Sequence, residues 1–227
     1  MYYLTKNIQI LSSIFYIILL PTFFISVNVI YITNSDWLYS YGWNRNHIEK
    51  STGLSIEQLN SGSNQIKSYF NNDEEYLDLI IVENGIKYSL YNEKEVLHMK
   101  DVKHLMKLTQ NTVILSGLVI LTHYLITIFN TKSLRKSIKQ ILKSSKISAY
   151  STIGFLSVFG LIASINFTWL FRQFHFISFS NDLWQLNPNT DYLIAMFPQR
   201  FFLETTIFIG IFTVFEFIIY LNVLRKI

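Results

Sequence analysis

Two histidines in this 227-residue chain are placed where they could transfer protons near neutral pH. His98 precedes Asp101 by three residues on one face of a predicted helix, so the carboxylate could orient its imidazole ring. His175 is followed closely by Asn181 and Asp182. Two imidazoles can serve as general base and general acid in one reaction. Packed histidines without a chemical role fit the same spacing, so the pattern alone leaves both interpretations open.

The composition indicates that a membrane holds these residues in place. The chain is 50% hydrophobic and only 15% charged, with a mean hydropathy of +0.28, which is too apolar for an ordinary soluble domain. It has no cysteine, so a disulfide framework, a cysteine nucleophile and a thiolate metal site are all excluded. The net charge of +4 is concentrated beside apolar runs and therefore does not indicate a nucleic-acid partner.

Four apolar runs are long enough to cross a hydrocarbon core of about 30 Å as helices. The first lacks a convincing signal-peptidase site and exceeds the usual signal-peptide core, so we interpret it as an uncleaved signal anchor. The predicted segments are 1–32, 112–129, 150–171 and 201–227, the last including the C-terminal end. The sequence therefore predicts an α-helical membrane protein with four transmembrane helices.

The connection 130–149 determines the predicted orientation. It contains no acidic residue, and short basic connections stay in the cytoplasm. Both termini are then cytoplasmic, and segments 33–111 and 172–200 face outward. The connection is either a topology signal alone or an amphipathic helix on anionic headgroups. Its basic residues are Lys132, Arg135, Lys136, Lys139, Lys143 and Lys146.

The outward segment 172–200 is unlike a simple connection. Plain connections are rich in Gly, Ser or Pro, whereas this one contains several aromatic rings, including Trp184. We expect it to fold back onto the membrane surface and to form the floor of a site. Packing at the membrane interface is an equally simple role for Trp184. The candidate supporting or substrate-binding residues are Asp101, Arg172, Asn181, Asp182 and Trp184.

The outward segment 33–111 is predicted to form a small extracytoplasmic α+β cap. Two strands, 77–82 and 86–90, flank Glu83-Asn84-Gly85, a hairpin signal because Asn and Gly tolerate positive φ. Residues 55–72 predict one or two short helices interrupted at Ser61-Gly62-Ser63. Trp37 and Trp43 are interpreted as an interfacial aromatic belt.

Other ionisable residues are predicted to lie away from this chemistry. His104 shares a lysine-rich helix face with Lys100 and Lys103 and should be solvated, and His47 receives no chemical role. His123 and Glu216 lie inside predicted spans at similar depth, where an ionisable group is costly. They could form a structural pair there.

Three stretches around these residues carry a family resemblance. They are E-V-L-H-M-K-D-V at 95–102, F-H-F-I-S-F-S-N-D-L-W at 174–184 and D-Y-L-I-A-M-F-P-Q-R-F-F at 191–202. Together with four spans, an outer cap and an outer loop, they resemble the bacterial lipoprotein intramolecular transacylase (Lit) family. The resemblance implies a multi-pass protein of the bacterial plasma membrane with an extracytoplasmic active site. It also implies a catalytic histidine pair, which falls on His98 and His175.

The implied activity moves an acyl chain from the glyceryl group of a diacylated lipoprotein to the α-amine of its N-terminal cysteine, leaving a lyso-form lipoprotein. The implied partners are therefore that substrate and membrane lipids, with no cofactor and no metal. An α-amine has a pKa near 8, so an imidazole can remove its proton during attack on the ester. Holding donor and acceptor in one molecule supplies effective concentration.

Roles follow for the candidate residues. His175 is assigned as main base, and His98, steadied by Asp101, assists proton return; the reverse assignment is the alternative. Asp182 orients a ring or meets the substrate ammonium, and Trp184 lines an acyl-chain groove. The oxyanion donors are chosen among the second imidazole, Asn181 and Arg172.

Two other functions fit the same sequence. A metal-dependent membrane hydrolase could use His98, Asp101 and His175 as ligands, although no H-E-x-x-H or similar cluster is present. A non-enzymatic four-span protein could use its cap to bind a partner.

Overall fold

Four long helices dominate the computed structural model, which describes residues 2–226 and the side chains of 7–226. Helices of this length and hydropathy can cross a bilayer, and their many exposed apolar side chains, such as Leu115 and Ile165, suit a lipid environment. The predicted four-span fold class with a small two-stranded sheet is confirmed. The elements are α1 (Tyr2–Thr33), α2 (Asp36–Arg45), α3 (Ile48–Thr52), α4 (Ile56–Phe70), β1 (Ile80–Glu83), β2 (Ile86–Ser89), α5 (Glu93–Thr131), α6 (Leu134–Ser178), α7 (Tyr192–Met196) and α8 (Gln199–Lys226).

The chain forms two compact units. The first contains α1 up to Ile30, Thr109–Leu161 and the chain from Ile207 onward. Its core consists of Tyr16, Leu20, Ile141, Ala149 and Phe217.

The basic connection 130–149, predicted to be either a plain cytoplasmic loop or an amphipathic helix, is mostly helical, and from Leu134 onward it belongs to α6. Residues 130 and 131 end α5, and only Lys132 and Ser133 separate α5 from α6. The reason lies in a face of small side chains: the Ser145 hydroxyl hydrogen-bonds Tyr16 at 2.8 Å, and Ser148 donates to the Ile17 carbonyl at 2.9 Å. This face is therefore packed against α1, which fixes the segment as helix.

The predicted pairing of His123 with Glu216 is wrong, because each has another partner. His123 Nδ1 lies 3.1 Å from the Ser12 hydroxyl, and its ring stacks on Tyr16 at 4.4 Å. Glu216 accepts a hydrogen bond from the Asn28 amide at 2.8 Å. Similar depth in a bilayer does not determine which helix faces meet.

The second unit contains Tyr31–Leu108 and Ile162–Thr206, and it holds the cap elements. The hairpin prediction is confirmed, with Glu83 opposite Ile86 and positive φ at Asn84 and Gly85. Its first strand is shorter than predicted and begins at Ile80.

The predicted interruption of the cap helix at Ser61-Gly62-Ser63 is wrong, because α4 runs unbroken through it. A capping box between Ser55 and Gln58 starts the helix, satisfying backbone donors at its N-terminus. Its apolar face is buried at Leu59 and Ile66. Tertiary packing thus outweighs the weak helix propensity of Ser and Gly.

Trp43 is part of the core of this unit rather than of an interfacial belt. Its exposed fraction is 1%, and its ring packs on Phe197 and Phe201 at 5.3 and 6.3 Å. Gly42 allows this approach, since a Cβ there would lie 2.5 Å from the Phe201 ring. The belt interpretation of Trp43 is therefore wrong.

Candidate active site

Hydrogen bonds at the N-terminus of α5 fix the position of the turn that carries His98. Asn92 caps the helix: its side-chain oxygen accepts from the Glu95 backbone N–H at 3.1 Å, and the Glu95 carboxylate accepts from the Asn92 N–H at 2.8 Å. This reciprocal pair satisfies two donors that a helix N-terminus otherwise leaves unpaired. His98 follows Glu95 by three residues and is therefore on the same side of the helix.

Glu95 also connects α5 to α7. Its second carboxylate oxygen accepts from the Leu193 backbone N–H at 2.6 Å, and the side chain is only 1% exposed. One buried carboxylate thus binds the N-termini of two helices, where negative charge is favourable. No role was predicted for Glu95 from the sequence. The spacing of Asn92 and Glu95 signals a capping box, whereas the contact with Leu193 has no local signal.

His175 is positioned by a separate final stretch of α6. Asn166 has non-helical backbone angles (φ −154°, ψ 80°), and its side-chain oxygen accepts from the Trp169 N–H at 2.9 Å. A new helical stretch is thereby capped after the break. Within it, His175 Nδ1 lies 2.7 Å from the Phe171 carbonyl oxygen, one turn earlier. Because a carbonyl only accepts, Nδ1 carries the proton, and the neutral ring keeps its lone pair on Nε2.

The two predicted catalytic histidines come together in this unit. Their ring centroids are 6.2 Å apart, and both side chains are buried, with exposed fractions of 6% and 7%. Phe179 packs against His98 at 5.2 Å and against His175 at 5.6 Å. Trp184 lies 5.0 Å from His175. Residues almost 80 positions apart in sequence therefore form one aromatic and imidazole cluster.

Burial keeps both imidazoles neutral near pH 7. Neither His98 nor His175 belongs to the predicted membrane-spanning segments 112–129 and 150–171. Burial lowers the pKa of His98 to about 4, an effect increased by the neighbouring His175 and opposed by Asp101. Burial also lowers the pKa of His175, against the effect of the hydrogen bond to Phe171. Desolvation disfavours a charged imidazolium, so each ring has a lone pair available for a proton.

The supporting residues lie around this pair, although not all contact it. Asp101 accepts a hydrogen bond from the Asn181 amide at 2.8 Å, which attaches the loop to α5. His98 Nδ1 has no hydrogen-bond partner among the described residues, so Asp101 does not orient the ring through that nitrogen. Asp182 accepts from Gln185 at 2.6 Å.

Predictions were also made for Arg172 and for the lysine-rich face of α5 that carries His104. The Arg172 guanidinium carbon lies 6.0 Å from the Phe176 ring centroid. His104 is exposed, as expected, but Lys103 is buried: its ammonium donates to Asn72 at 2.9 Å and lies 4.0 Å from the Tyr69 ring centroid.

Across residues 7–226, no group of three or more His, Asp or Glu side chains is arranged to hold a metal ion.

Comparison with known proteins decides the family. A model of the family described as lipoprotein intramolecular transacylase Lit matches residues 14–202, well over half of the chain. The chain belongs to the Lit family. It is therefore an enzyme, a lipoprotein intramolecular transacylase, and an integral membrane protein with several spans. No match was found among curated protein sequences.

Solved structures agree on the fold of this Lit family member. The membrane integral lipoprotein intramolecular transacylase Lit from Bacillus cereus is 19% identical, with a TM-score of 0.80 over 97% of this chain and 96% of that one. A second structure of that protein, carrying a histidine-to-alanine substitution, is 18% identical with a TM-score of 0.76 over 99% and 96%. At such identity the likeness establishes the fold.

Proposed function

We propose that this Lit family member transfers an acyl chain from the diacylglyceryl group of a bacterial lipoprotein to the α-amine of its N-terminal cysteine, with His98 and His175 as the proton-transferring pair. The observation that carries the proposal is the hydrogen bond from His175 Nδ1 to the Phe171 carbonyl. It leaves Nε2 as a free base beside a second neutral imidazole.

The proposed reaction begins with attack of the cysteine amine on the ester carbonyl. His175 Nε2 takes one proton from the nitrogen as the C–N bond forms. Collapse of the tetrahedral intermediate breaks the bond between the carbonyl carbon and the glyceryl oxygen, which receives one proton in return. Atoms and protons balance without water or a covalent enzyme intermediate. The substrate holds both reacting groups, so correct positioning supplies much of the rate enhancement.

His98 supports proton return in this scheme. The ring centroids of His98 and His175 lie 6.2 Å apart, and burial lowers the pKa of His98 to about 4. It therefore starts neutral and can hydrogen-bond to the glyceryl oxygen or share the proton taken by His175. Exchanging the roles of His98 and His175 gives the same balance and is the alternative assignment.

The surroundings of the pair suit a lipid substrate. Phe174, Phe176 and Ile177 are exposed next to His175 on the final stretch of α6, and we assign them to the acyl chains and neighbouring membrane lipids. Segment 130–149 contains basic residues and no acidic ones, which favours a cytoplasmic position for it. We therefore propose cytoplasmic termini and an extracytoplasmic site in the bacterial plasma membrane.

The test is mass spectrometry of N-terminal lipopeptides from bacteria that lack their own N-acylating enzymes, with and without this chain. We expect one acyl chain to move to the amine while the total lipid mass is unchanged. Fragment ions locate that chain. Unchanged diacylglyceryl lipopeptides in cells that contain the protein would contradict the proposal and favour the partner-binding alternative.

A further inference from the structure

The oxyanion formed during acyl transfer needs a hydrogen-bond donor. Of the three donors suggested by the sequence, His98 is already assigned to proton return, which leaves Asn181 and Arg172. The Asn181 amide donates to Asp101 at 2.8 Å. The Arg172 guanidinium is exposed and lies over the Phe176 ring. The Asn181 donor is therefore engaged, and the Arg172 guanidinium is open to solvent, where hydrogen bonds to a developing charge are weaker than in a buried site. A buried donor that has no protein partner and that contacts His175 would be better placed.

Trp184 meets both conditions. Its indole nitrogen is buried and has no hydrogen-bond partner among the residues that the structure describes. Its ring packs at 5.0 Å on His175, the proposed base. Most buried polar atoms in proteins are hydrogen-bonded, so an unpaired one calls for an explanation. Nδ1 of His98, whose ring centroid lies 6.2 Å from that of His175, is likewise buried and unpaired among the described residues.

The chemistry of indole restricts what can satisfy this atom. Indole Nε1–H only donates, so its partner must be an acceptor. An ammonium group has no lone pair and cannot accept from it, and an amine that accepted would lose the lone pair it needs for attack, whereas the carbonyl oxygen of an ester can accept freely. That oxygen gains negative charge in the tetrahedral intermediate, and the hydrogen bond strengthens as the charge develops. Donors of this kind accelerate the reaction because they bind the transition state more tightly than the substrate.

We propose that Trp184 is a catalytic residue that donates its indole N–H to the carbonyl oxygen of the scissile ester and stabilises the oxyanion. The inference rests on the proposed function. Nε1 has no solvent contact without substrate, so the ester reaches it only after a neighbouring ring moves. Phe176 packs edge-on against Trp184 at 5.0 Å and is 51% exposed. We assign this movement to Phe176 because it contacts Trp184 and is half-exposed.

The first variant is Trp184→Phe, which keeps an aromatic ring but removes the N–H. With a synthetic diacylglyceryl-cysteinyl peptide in lipid nanodiscs, we expect kcat to fall about 100-fold and KM to change less than twofold. Trp169→Phe is the matched control: its ring is exposed, and its backbone N–H, which Asn166 binds, is retained. We expect its kcat within twofold of the unsubstituted enzyme. A kcat for Trp184→Phe within threefold would overturn the inference.

A second variant separates the N–H from the shape of the ring. Benzothienylalanine, inserted at position 184 by codon suppression, has nearly the shape of tryptophan but carries sulfur in place of N–H. We expect it to be as slow as Trp184→Phe. Recovery of the kcat of the unsubstituted enzyme would show that only the shape matters and would overturn the inference. Failure of the proposed base is a different result: His175→Ala would then retain the full kcat.

Discussion

Replacing His175 with alanine should reduce kcat for acyl transfer by about 1000-fold, within the range that general-base catalysis supplies. The loss follows from the tautomer: Nδ1 donates to the Phe171 carbonyl, and Nε2 is the base that disappears. The measurement is the rate at which one acyl chain becomes an alkali-resistant amide, at constant mass, on a diacylglyceryl-cysteinyl peptide.

His175→Asn is the control for a merely structural role. Its side-chain amide can replace the Nδ1–H bond to Phe171 but offers no base at the position of Nε2. It should therefore restore thermal stability without restoring the rate. If His175→Asn were as active as the unsubstituted enzyme, the ring would serve only to bond the backbone, and its assignment as base would be wrong.

Replacing His98 with alanine should reduce kcat by about 100-fold, with KM nearly unchanged. The expected loss is smaller because His98 assists a proton transfer that His175 performs, and partial proton sharing contributes at the lower end of the acid–base range. The measurement is the same conversion under saturating peptide. A rise in KM with unchanged kcat would instead assign His98 to substrate binding.

His104→Ala provides the matched control for His98. His104 lies on the same helix six residues later, and its side chain is exposed. We expect this variant to keep the rate of the unsubstituted enzyme. An equal loss in both variants would mean that the effect comes from perturbation of α5 and would contradict a catalytic role of His98.

The sequence predicted features that depend on local patterns. Hydropathy runs identified the four spanning helices, because a bilayer imposes length and composition on each one separately. Asn84 and Gly85 identified the hairpin, because positive φ is a property of single residues. Residue type and helical periodicity drew attention to His98, and residue type alone to His175. The family resemblance implied that they act as a pair, and the structure brings the two rings within 6.2 Å.

Contacts between distant segments were not predictable in this way. A helical wheel assigns a side chain to a face, but it does not say which segment covers that face. Glu95 reaches the Leu193 N–H across 98 residues, and Trp43 enters a core formed with Phe197. The break at Asn166 interrupts an apolar run that has no Pro or Gly at that position. Each depends on tertiary packing rather than on local propensity.

The double substitution His98→Ala with His175→Ala tests most directly whether the two imidazoles form one proton-transferring unit. Residues that act as a unit show strongly non-additive losses. We therefore expect the double variant to be no more than about threefold slower than His175→Ala alone in single-turnover transfer. If the two losses multiplied, to about 100,000-fold, the histidines would act in independent steps, and the account of a single catalytic pair would be contradicted.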